Sequence, residues 1–229
     1  MRCIRINSGQ LLRLIVPSLA AVWFLAGCAT GPLARSPAGP VYQPNNVYRA
    51  SARMPPQIRR VAVLPMSVEA NDWQADAGRT QMQWVLNEEL GKARTFELVL
   101  VSPEQLAGWT GRTSWRAEEK LPPDFLERLQ EALACDAVLF CHLRPYHAYQ
   151  PLVIGWNFKL VDGRFRSIVW SADEVFDASE VAVANAARKY CQGRAEAARS
   201  WADAESVLMS PRRFGQYTLS ALLTTLPER

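Results

Sequence analysis

The chain has 229 residues, 49% of them hydrophobic and 21% charged, with a formal net charge of +4. Arg2, Arg5 and Arg13 fall in the first 27 residues, which hold no acidic residue, so the remainder carries only about +1. No stripe of Lys and Arg with interleaved aromatics remains there, which excludes a nucleic-acid surface. About 200 residues beyond that segment suffice for one hydrophobic core and leave no room for a second full domain.

The N-terminus reads as a secretory signal. The three arginines precede an apolar run from Leu14 to Leu25, which is shorter than the roughly 20 residues a bilayer span needs and is interrupted by Pro17. Small residues follow, and the run closes on Leu25-Ala26-Gly27-Cys28. An uncleaved membrane helix, with Cys28 incidental, fits these features less well. Residues 1–27 are therefore expected to be removed, leaving Cys28 as the first residue, with a diacylglycerol thioether on its sulfur and a further acyl chain on its amine. Each buried methylene contributes about 0.8 kcal/mol, so two or three chains make a stable anchor where one does not. The segment resembles those of bacterial lipoproteins. That resemblance implies an outer-membrane location facing the periplasm, since Ala29 stands where an inner-membrane retention signal places Asp.

Residues 28–57 carry six prolines among small and polar residues with no sustained apolar period, and read as a flexible lipidated tether. A folded domain is expected over 58–229. Its first strand runs from Arg59 to Met66, continuously apolar after Arg60, as suits a sheet covered on both faces. A polar loop follows at 67–74. A helix over 77–93 places Met82, Val85, Leu86 and Leu90 on one face, and Trp84 is expected to pack beside them. Phe96 to Val101 forms the next strand, parallel to the first because one helix connects them. Ser102 caps a short helix, with Gln105 three residues on, and the glycines at 108 and 111 end it. Trp109 to Trp115 forms a loop. Pro122, Pro123 and Asp124 open a second helix with Phe125, Leu126, Leu129 and Leu133 on one face, and a strand follows at 137–143.

Asp162-Gly163 suits a two-residue hairpin turn. That turn sets Ile154, Trp156, Phe158 and Leu160 opposite Ser171, Val169, Ser167 and Phe165, with Gly155 facing Trp170 and Lys159 facing Arg166. The last pair is mildly unfavourable and favours a longer loop. A helix from Ser179 to Ala202 offers Val181, Val183, Ala184, Ala187, Tyr190 and Cys191 to the core. A final helix from Pro211 to Leu226 offers Phe214, Leu219, Leu222 and Leu223. The fold class expected is α/β: a single compact domain whose mixed sheet, of parallel strands plus an antiparallel hairpin, is covered by helices behind a flexible N-terminal tether.

Chemistry is sparse. The sequence has only two histidines, His142 and His147, and no thiolate or carboxylate spacing completes a metal-ligand set around them. Cys135, Cys141 and Cys191 remain once Cys3 leaves with the signal and Cys28 is acylated. A bridge from Cys191 to either of the others is geometrically open, as is a set of buried free thiols. Glu118-Glu119 lies in a polar loop, and Asp173-Glu174, adjacent in a strand, points to opposite faces, so neither pair makes an acid/base site. There is no nucleophile elbow and no phosphate-cradling glycine loop. The reading is non-enzymatic, with no catalytic residue, no metal and no cofactor. Trp73 in the first loop, and Trp109 and Trp115 beside Arg112, are the candidate partner contacts, because exposed aromatics and Arg anchor interfaces. The alternative is that these rings fold back to cap the core.

Arg-Val-Ala-Val-Leu-Pro at 60–65, Phe-Glu-Leu-Val at 96–99, Cys-Asp-Ala-Val-Leu at 135–139, and Leu-Val-Asp-Gly at 160–163 leading to Ile-Val-Trp-Ser at 168–171 occur in this order behind a lipobox. In that order, over about residues 58–176, the chain resembles the periplasmic lipoprotein superfamily that includes the curli secretion component CsgG and the penicillin-binding-protein activator LpoB. The resemblance implies an α/β sandwich related to the N-terminal domain of TolB. It also implies a scaffold or accessory role in a cell-envelope assembly, with a bilayer and an unidentified envelope protein as partners. An oligomeric CsgG-like secretion component is the alternative. A secretion barrel, however, needs long paired hairpins in addition to those the fold uses, and only one hairpin is legible.

Overall fold

A computed structural model describes residues 39–194 and 204–229. The signal segment, Cys28, the first part of the tether and the end of the helix expected to reach Ala202 lie outside them. One mixed sheet organises the fold, with strand order β1-β7-β6-β5-β2-β4. The strands are β1 Val47–Arg49, β2 Arg60–Val63, β3 Ser67–Val68, β4 Glu97–Leu100, β5 Ala137–His147, β6 Val153–Asp162 and β7 Ile168–Asp177. β2 pairs in parallel with β4 and β5, β3 runs parallel to β5, and β1, β6 and β7 complete an antiparallel half. The helices are α1 Trp73–Ala93, α2 Pro103–Thr110, α3 Phe125–Leu133, α4 Val181–Arg194 and α5 Pro211–Leu223. The α/β class and the mixed sheet expected from sequence are what the structure has.

Alternation along the strands sorts side chains into two cores. One face turns Val61, Leu139, Trp156, Phe158, Trp170 and Phe176 toward α1, α4 and α5. The buried indoles are satisfied from α5 and the turn just after it: Trp156 Nε1 donates to Thr218 Oγ1 at 2.8 Å and Trp170 Nε1 to Thr225 Oγ1 at 3.1 Å. The other face turns Ala62, Leu64, Val138 and Phe140 toward α2 and α3, where Leu106, Trp115, Phe125 and Leu129 cover them. Beyond β5 this second core meets the sheet only at Val161, near the end of β6.

Several expectations are corrected. Part of the span expected as tether, residues 28–57, belongs to the domain. From Tyr42 onward the chain packs on the domain, adding β1 to the sheet edge and burying Met54. The holding group is Glu174, 5% exposed on the core face, whose carboxylate accepts from the backbone N–H groups of Asn45 and Asn46 and from the Tyr42 hydroxyl. Three donors converging on one carboxylate compensate its desolvation. The expected loop at 67–74 holds β3, and α1 begins at Trp73 because Asp72 caps it, accepting from Ala75 N at 2.9 Å. Trp84 does not pack; it is 75% exposed. Val181, offered to the core, is 66% exposed. Ser102 and Gln105 do form a capping box, and Gly111 in the left-handed region ends α2.

The hairpin keeps its position but not its register. Asp162 Oδ1 accepts from the N–H groups of Arg164 and Phe165, and Arg166 adopts a positive φ, so the loop extends to Ser167. Leu160 then faces Trp170, and Trp156 faces Glu174. An odd slip turns β7 over. Trp170, Ala172 and Phe176 enter the core, where Val169 also stays buried, Ser171 turns to the open face, Lys159 faces Ser171 instead of Arg166, and Gly155 faces Val175. Gly155 is required by a different neighbour: a Cβ there would lie 2.0 Å from the Arg144 carbonyl oxygen, where β5 steps out of register.

Candidate functional site

The aromatic cluster expected at 109–115 is mostly inward. Trp115 is 6% exposed, meets Phe125 edge-on at 5.5 Å between ring centroids, and donates from Nε1 to Thr110 Oγ1 at 2.8 Å. Trp109 is half-buried against the same core. Arg112 lies over the Trp115 ring at 4.3 Å and pairs with Glu119 at 2.7 Å. This loop is a lid on the second core, stitched by a cation–π contact and ion pairs. Capping, the alternative weighed above, describes Trp115.

Trp73 stands apart, 70% exposed at the start of α1. Eleven residues on, Trp84 is 75% exposed. Eleven residues are about three helical turns, so both indoles lie on one stripe about 16 Å apart along the axis. Ala77 and Thr80, between them on that stripe, are exposed, small and uncharged. The opposite side of α1 buries Met82, Val85, Leu86 and Leu90 in the main core. Sequence reading missed Trp84 because adjacency to Val85 suggested packing. At about 100° per residue, a neighbour of a buried position turns well away from it.

A second feature lies on the open half of the sheet. Beyond the second core no helix among the described residues covers β6, β7 and β1 on this face, and a groove of about 520 Å³ runs across them. Two rows of side chains pave it. Lys159, Ser171 and Tyr48 stand side by side on β6, β7 and β1, and His142, Asn157 and Asp173 on β5, β6 and β7. Arg144 continues β5 beyond His142, and Arg116 and Glu118 reach in from the loop after α2. Lys159 Nζ meets Glu118 at 2.6 Å, and Arg116 binds Glu69 and Glu119 at 3.0 and 3.1 Å. His142 is buried and its Nδ1 lies 3.0 Å from Ser67 Oγ. Burial first, and the nearby Arg116 guanidinium second, hold its imidazole below the usual histidine range.

Asp173 and Glu174 point to opposite faces as expected, one into the groove and one into the core. Among the described residues no group of three His, Cys, Asp or Glu side chains is placed to hold a metal ion. Cys135 and Cys141 are buried free thiols, so neither is bridged to Cys191. Among the described residues no helix is long and apolar enough to cross a membrane.

No protein-family model matches the chain, and no curated protein sequence matches it. Solved structures with a similar chain path include a PelC dodecamer from Paraburkholderia phytofirmans, at 14% identity and TM-score 0.46, covering 80% of this chain and 97% of that one. Lipoprotein GNA1162 from Neisseria meningitidis matches at 18% identity and TM-score 0.37, over 52% of this chain and 79% of that one. The LpoB C-terminal domain from Escherichia coli matches at 15% identity and TM-score 0.32, over 52% and 82%. Likeness at this level does not assign an activity.

Proposed function

We propose that this chain is a lipoprotein anchored through acylated Cys28 to the periplasmic face of the outer membrane, where it serves as a non-enzymatic scaffold or accessory subunit of an envelope assembly. The lipobox supports the anchor. The observation that carries the docking role is the pair of exposed indoles on one stripe of α1, because large aromatics left in water at such exposure are characteristic interface anchors. The order of the chain from Tyr42 onward sharpens the picture. Thirteen residues lie between Cys28 and Tyr42, a span of at most about 50 Å, so the partner has to come near the same membrane. The secretion alternative gains no support from the β6–β7 hairpin, which sits between β5 and β1 within the sheet.

A photo-crosslinking residue at Thr80, between the two indoles, tests the interface in intact cells. A discrete adduct is expected with Trp73 and Trp84 in place. Its loss is expected in a Trp73→Ala, Trp84→Ala double variant whose melting temperature is unchanged. An adduct that persists in the double variant contradicts the interface.

A further inference from the structure

The floor of the open groove holds a buried polar atom with nothing to bond. His142 is 5% exposed, yet its Nε2 has no hydrogen-bond partner. Glu69 Oε2 stands 3.7 Å from it, beyond bonding length. Native structures rarely leave such an atom unpaired without a use for it. The ring sits in a lining with Arg116 and Arg144. Arg116 is engaged by two carboxylates, whereas Arg144 is exposed and among the described residues makes no ion pair. With Ser67 Oγ donating to the Cys141 carbonyl, the neutral ring carries its proton on Nδ1, so Nε2 is an acceptor suited to a hydroxyl, while the uncommitted guanidinium in the same groove matches an oxyanion.

The remaining lining narrows the class of ligand. Asn157, Ser171 and Asp173 offer donors and acceptors side by side, the complement of a polyol. Tyr48, 53% exposed beside Ser171, offers an aromatic face to a ring. Asp173 is a carboxylate in the same groove and opposes a multiply charged ligand such as phosphate. We propose that the groove binds an acidic sugar, with its carboxylate taken by Arg144, one hydroxyl donating to His142 Nε2 and its other hydroxyls met by the paved rows. This site does not depend on the docking stripe of α1, which lies on the other side of the sheet.

Isothermal titration of the full chain in detergent, with a glucuronate tetramer, a neutral glucose tetramer and inorganic phosphate, tests it. The acidic tetramer is expected to bind at least about ten-fold more tightly than either other probe. Arg144→Gln and His142→Leu are each expected to weaken it about ten-fold without lowering the melting temperature, since Arg144 is exposed and Ser67 Oγ keeps the Cys141 carbonyl at 3.2 Å when the imidazole is gone. Equal binding of the two tetramers, tighter binding of phosphate, no heat at millimolar ligand, or full binding in both variants would overturn the proposal.

Discussion

The two faces of the sheet are made by the same strands and differ in what covers them. On one, α1, α4 and α5 bury a core that runs from β4 to β7, and nearly every second residue of β5, β6 and β7 is apolar. On the other, the core under α2, α3 and the Trp115 lid goes no further than Val161 at one end of β6, and the positions beyond it are Asn157, Lys159, Ser171 and Asp173. An antiparallel half-sheet tolerates one wet face, whereas its parallel half is covered on both. The complete face makes the domain stable, and the incomplete one leaves polar groups free to meet something else.

Substitutions on the two faces of β7 and its neighbour β1 should therefore differ sharply. Trp170→Ala, on the core face, is expected to cost about 3–5 kcal/mol in chemical denaturation and to leave Thr225 without its indole partner. Tyr48→Ala, on the open face, is expected to stay within about 0.5 kcal/mol. Similar losses at both sites would erase the distinction between the faces.

Glu174→Ala comes next. Removing the carboxylate strips the acceptor from Tyr42 and from two backbone N–H groups, at an expected cost of about 2 kcal/mol. Hydrogen exchange should accelerate across residues 42–49 and not in β5. Asp173→Asn, its neighbour on the open face, should do neither.

The smallest effect is a pH dependence. In the folded chain His142 resists protonation, so below its ordinary value near 6.5 the unfolded chain takes up more protons than the folded one. The stability that neutral His142 contributes is full above that value and declines as pH falls toward its lower, folded one. His142→Leu should flatten this decline in melting experiments between pH 7 and pH 5. An unchanged slope in the variant would show that other groups carry it.

Legibility in the sequence follows the same division. Val61 to Leu64, the α3 face and the α5 face are visible because apolar spacing reports a covered surface. The hairpin register is not, because its turn depends on whether Asp162 is a turn residue or an acceptor for the next two N–H groups, and the pair Asp-Gly is compatible with both. β1 is hidden in a proline-rich stretch and is set by Glu174, a tertiary partner more than 120 residues away. The groove is illegible for another reason. Its residues come from three strands and a loop, and only the register that slipped brings Asn157 beside Asp173.

The proposed role requires that the folded domain be fastened to a membrane through position 28. Metabolic labelling with palmitate, followed by fractionation of wild-type and Cys28→Ser cells, tests it most directly. Label is expected on the wild-type chain in the outer-membrane fraction, with a Cys28→Ser chain that is unlabelled, retains its first 27 residues and fractionates differently. A wild-type chain without label, or a variant with the same processing and fractionation, would contradict it.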